Sequence, residues 1–84
     1  MEKFNKGQKV VRAYECEKNI IIEYGTIVSA GKKQIKFEGK WYTRKFNVEW
    51  WGEEFFALEN LDAAKEYASE LSEKWNKKIK IYEA

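Results

Sequence analysis

The sequence predicts an α+β fold that is mainly β: a small antiparallel barrel of about five strands, one C-terminal amphipathic helix and a short last strand. Three observations carry this. From Tyr24 to Phe46, short runs of β-branched and aromatic residues alternate with polar ones and are separated by glycine-marked turns. From Asn60 to Lys77 the apolar period lengthens to that of a helix. The chain has 84 residues, enough for one domain with a single modest core. The expected division is a barrel over 1–58, a helix over 60–77 and a terminal strand over 78–82.

Lys6-Gly7-Gln8 reads as a turn into a first strand from Lys9 to Tyr14. There Val10 and Arg12 alternate against Val11 and Ala13, so either face could point inward. After a polar break at Glu17-Lys18-Asn19, the β-branched run from Ile20 to Ser29 suits a pleated surface. Gly25 interrupts it, and a glycine inside a strand often marks a bulge or corner. Ala30-Gly31-Lys32 is a tight hairpin connection. Ile35 and Phe37 then alternate with Gln34, Lys36 and Glu38, and Glu38-Gly39-Lys40 is the next turn.

A strand from Trp41 to Trp50 follows. Its even positions Tyr42, Arg44, Phe46, Val48 and Trp50 share one face, and the apolar majority of that face turns it inward. Trp41, Thr43 and Lys45 then look outward. Trp50 and Trp51 cannot both point inward, which leaves one of them exposed or covered by the helix. Glu53-Glu54 reads as a polar turn, and Phe55 to Leu58 as a short apolar strand. Asn60 is a good N-cap. Leu61, Ala64, Ala68, Leu71 and Trp75 make one helical stripe, widened by Tyr67. After Asn76, Ile79 and Ile81 alternate with lysines and Tyr82 in a strand returning to the sheet. Glycine bends and tight turns favour an SH3-like barrel over a flat sheet.

The stretch Val10 to Leu58 resembles small β-barrel proteins of unknown function encoded by phages and prophages of Gram-positive bacteria. The matching residues are Gly7-Gln8-Lys9-Val10, Thr26-Ile27-Val28-Ser29-Ala30-Gly31-Lys32-Lys33, Arg44-Lys45-Phe46 and Phe56-Ala57-Leu58 before the helix. The longer helix and the strand after Asn76 depart from that pattern. The resemblance implies an SH3-like fold and a bacterial host cell. It brings no catalytic residues.

Composition argues against an enzyme. The chain has no histidine, which removes the commonest general base and metal ligand. Its one cysteine, Cys16, sits between Glu15 and Glu17, and neighbouring carboxylates disfavour a reactive thiolate. There is no CxxC, EF-hand loop or phosphate loop. No cofactor or metal is expected. The lone cysteine and the lack of a signal peptide or a long apolar run suggest a cytoplasmic protein that does not enter the membrane.

Charge is balanced overall at +2 but unevenly spread. Between Gly31 and Phe46, six cations face the single Glu38. Between Asn47 and Glu73, seven glutamates and Asp62 face the single Lys65. The split could steer a charged partner, or simply mark two solvated faces. The candidate binding residues are Lys32, Lys33, Lys36, Lys40, Trp41, Arg44, Lys45 and Trp51. Trp41 has three readings: a base-stacking ring among cations, an anchor for a protein partner, or part of a satellite core under the helix. The expected function is a non-catalytic module that binds a host or phage protein. The alternatives are single-stranded nucleic acid binding through the basic aromatic region, and inhibition of a host defence nuclease through the acidic segment. Monomer and homodimer both fit, since small barrels leave free strand edges.

Overall fold

The computed structural model describes residues 4–47 and 54–83. They form a six-stranded, mainly antiparallel sheet and one C-terminal helix. In chain order the elements are β1 (Lys9–Cys16), β2 (Asn19–Ala30), β3 (Gln34–Glu38), β4 (Thr43–Asn47), β5 (Phe55–Ala57), a 3-10 turn (Leu58–Asn60), α1 (Leu61–Trp75) and β6 (Lys78–Tyr82). The sheet order is β4-β3-β2-β1-β5, with β6 attached to β2.

β2 is the spine. One of its edges pairs with β1, from Lys9↔Thr26 to Cys16↔Asn19. The opposite edge is shared: Thr26 to Ala30 takes β3 antiparallel, and Asn19 to Glu23 takes β6 parallel. The parallel pairing follows from the connection. β5 runs antiparallel to β1, and the chain then crosses by a helix, which returns the next strand in the same direction.

The ambiguity of β1 resolves because both of its faces are buried. Val10 joins Phe4, Ile27, Ile35, Phe37, Phe46, Phe55 and Ala57 in an inner cluster. Val11 and Ala13 join Ile20, Ile22, Ala64 and Ala68 in a second cluster beneath α1. The expected single core is therefore two, back to back on one sheet. The sheet is curled and not closed. Phe46 of β4 and Phe55 of β5 bring their rings to 5.1 Å, yet no backbone pairing joins those two strands among the described residues.

Gly25 has a different role from the expected bend. It stays in register opposite Val10. A Cβ there would overlap the Phe37 ring and the Glu38 carbonyl oxygen, so the missing side chain makes room for the central aromatic of the inner core. The bulge falls further on, between Ile27 and Ser29. The extra residue, Val28, resets the alternation, so Ser29 faces outward beside Lys36 instead of following Ile27 inward.

Two further expectations are corrected. The strand expected from Trp41 begins at Thr43, because Gly39 N–H donates to the Tyr42 carbonyl and places Trp41 within the hairpin loop. Asn60 occupies the N-cap position, but its side chain makes no capping bond. The C-terminus of α1 is better built: Asn76 takes the left-handed conformation at φ 52°, and its N–H and that of Lys77 both donate to Ser72 O. The expectations for Val48, Trp50, Trp51 and Glu53 lie outside the described residues.

Candidate functional site

The charges inside the curl are tied into one network. Arg12 and Glu23 are buried, at 8% and 3% exposure, and they face each other in the β1–β2 register. Arg12 donates from Nε and Nη2 to Glu54 Oε2 at 3.0 and 2.9 Å, and from Nη1 to the Tyr42 hydroxyl at 2.8 Å. Tyr42 in turn donates to Glu23 Oε1 at 3.0 Å, and the Lys40 backbone N–H donates to Glu23 Oε2 at 3.1 Å. The guanidinium lies 3.7 Å from the Tyr14 ring centre and 4.5 Å from that of Phe46. Gly39 permits this closeness, since a Cβ there would overlap the Glu23 carboxylate. Burial pushes the Tyr14 phenol well above its ordinary value, helped by its hydrogen bond with Tyr42. Burial also raises Tyr42, with the Arg12 charge opposing.

Sequence reading missed this network. Its signal was one cation and one carboxylate, each set in an apolar strand: Arg12 after Val10-Val11, and Glu23 after Ile20-Ile21-Ile22. Glu54, expected in a polar turn, instead reaches Arg12. The network is a structural tie between β1, β2, the β3–β4 loop and the start of β5. It borders an open cleft of about 460 Å³ lined by Tyr14, Cys16, Tyr42 and Arg44 among others.

The candidate binding residues do not form one patch. Lys33, Lys36 and Lys45 line a shallow cleft of about 590 Å³ with Ser29, Gln34 and Asn47. Within it, Lys36 and Lys45 are direct cross-strand partners on the outer face of β3 and β4. Like charges so placed repel. Among the described residues neither has a carboxylate partner. Lys32 is exposed in the β2–β3 loop. Arg44 shares a face with buried Phe46, as the alternation required, but stays exposed with its guanidinium 5.4 Å from that ring.

Trp41 and Lys40 lie at the other end of the β3–β4 hairpin. Trp41 is 62% exposed, which removes the satellite-core reading. Its ring meets Tyr82 edge-on at 4.8 Å, and Lys40 Nζ sits 5.3 Å from its centre. Of the lysines expected around Trp41, only Lys40 makes such a contact. Trp51 lies outside the described residues. Among the described residues no cluster of three or more His, Cys, Asp or Glu is placed to hold a metal, and no helix is long and apolar enough to cross a membrane. No protein-family model, curated protein or solved structure matches this chain.

Proposed function

We propose that this chain is a non-catalytic binding module, an SH3-like barrel of the kind encoded by phages and prophages, that grips a protein partner in a bacterial cell through the Trp41 corner. The observation that carries this reading is Trp41 itself. It stands 62% exposed in a loop, braced by Tyr82 and Lys40 and not folded into either core. A braced indole loses little conformational freedom when it is covered, and burying a large apolar side chain contributes on the order of 2 kcal/mol. Tryptophan is accordingly enriched among the residues that dominate protein interfaces. The test is retention of a specific protein from bacterial lysate by the immobilised chain and by Trp41→Ala. Loss of that protein with the variant is expected. Equal retention by both would end the reading.

A second reading rests on the Lys36–Lys45 pair. Two facing lysines beside Lys33 are relieved by an anion, and a nucleic acid backbone supplies a row of them. Among the described residues that line the cleft none is aromatic, so the reading rests on the backbone charge and not on stacked bases. A gel shift with single-stranded DNA or RNA that weakens steeply with salt, and fails with Lys36→Ser, would favour it. No shift at low salt removes it.

A further inference from the structure

β6 is an edge strand that alternates lysine and isoleucine. Its sequence is Lys78-Ile79-Lys80-Ile81-Tyr82, and four of its five residues are exposed. One side pairs with β2, and among the described residues nothing pairs with the other. Its two faces differ. Ile79 and Ile81 stand beside Ile20 and Ile22, on the helix side of the sheet, yet remain 38% and 49% exposed. Trp75, which ends the apolar stripe of α1 just before this strand, is also 49% exposed. Lys78, Lys80 and Tyr82 occupy the other face, where Tyr82 meets Trp41. Lys77 is neutralised by Glu15 at 3.2 Å, whereas Lys78 and Lys80 have no carboxylate partner among the described residues.

We infer that the free edge of β6 receives an extended acidic segment of a partner protein as an added strand, with its apolar residues against Ile79, Ile81 and Trp75 and its carboxylates against Lys78 and Lys80. An unpaired edge supplies main-chain donors and acceptors, and alternate side chains supply selectivity. Charge decides between occupants. An antiparallel pairing of β6 with its own copy that sets Ile79 against Ile81 also sets Lys80 against Lys80, which repel. An acidic strand meets the same edge with opposite charge. The inference rests on the reading of the chain as a protein-binding module and extends it from the Trp41 corner along the strand that Tyr82 ends.

The experiment uses the full chain and an eight-residue peptide of alternating glutamate and valine, followed by NMR. Shifts should centre on 78–82 and the Trp75 indole. Affinity should fall roughly tenfold or more when Lys78→Glu and Lys80→Glu are combined. It should fall comparably when the peptide is N-methylated at alternate residues, which removes main-chain donors without touching the charge. Several outcomes overturn the inference: no shifts at about 1 mM peptide, equal binding of the N-methylated peptide or of a lysine–valine peptide, or dimerisation through β6 without peptide. A partner retained from lysate that depends on Trp41 but ignores the Lys78→Glu, Lys80→Glu change defeats the added strand alone. Retention indifferent to Trp41 defeats the wider reading.

Discussion

Arg12 and Lys45 are both cations on strands of one sheet, and they live under opposite rules. Arg12 is buried and paired: Glu54 answers its charge, Glu54 and Tyr42 take three of its five N–H donors, and Tyr42 links it on to Glu23. Lys45 is exposed and faces another lysine across the ladder. The inner cation is held by geometry that leaves few alternatives, because an unpaired charge there costs several kcal/mol. The outer pair is tolerated only because water screens it. Repulsion on the surface can be left in place at small cost, so it marks where the fold has not used its charges on itself.

The largest effect should come from breaking the inner side. Arg12→Ala removes the cation that faces buried Glu23 across the β1–β2 ladder and strips the donor from Glu54. A loss of about 3–5 kcal/mol is expected, read as a shift in the denaturant midpoint. If Arg12→Ala costs no more than a surface change, the network is not what ties β1 to the β3–β4 loop. Gly25→Ala attacks the same interior through packing. The added methyl meets the Phe37 ring and the Glu38 carbonyl, and a cost of about 1–3 kcal/mol is expected. A neutral result would mean that β3 can move away from β2 without loss.

The contrast explains how much was legible in the residues. Alternation located β3 and β6, and the helical stripe located α1, because each presents one apolar side and periodicity reports that directly. Periodicity failed on β1, where Val10 and Val11 belong to different cores and no single inward face exists. It also misplaced Trp41 in a strand, since a hairpin loop closed by Gly39 N–H to Tyr42 O leaves little trace in composition. The exposed lysines were found as residues but not as a grouping. Which of them face one cleft depends on strand pairing, and the register that sets Lys36 against Lys45 also sends Lys40 to the opposite end of the hairpin.

Alkali should separate the two regions without mutation. Tyr14 and Tyr42 have phenol pKa values raised in the folded state, so folding favours their protonated forms. Their contribution is fully present below the unfolded value of about 10 and is lost as pH rises through and beyond it, because the unfolded chain then releases protons that the folded chain retains. Stability should be level near neutrality and decline above roughly pH 10. Tyr14→Phe should flatten part of that decline. An unchanged alkaline profile in Tyr14→Phe would show that the phenol is not isolated from solvent.

The smallest effect tests the outer side. Lys45→Glu converts the facing pair Lys36–Lys45 into one of opposite charge without altering either core. It should therefore stabilise, by about 0.2–1 kcal/mol at low salt, with the gain shrinking as salt is added. The sign matters more than the size, because only a gain shows that the two lysines repel in the folded state. If Lys45→Glu raises the melting temperature while abolishing the salt-dependent gel shift of the second reading, the like-charge pair is kept for an anion. If it lowers stability, Lys45 has a folded-state role of its own, and the division between matched interior and unmatched surface fails where it was drawn.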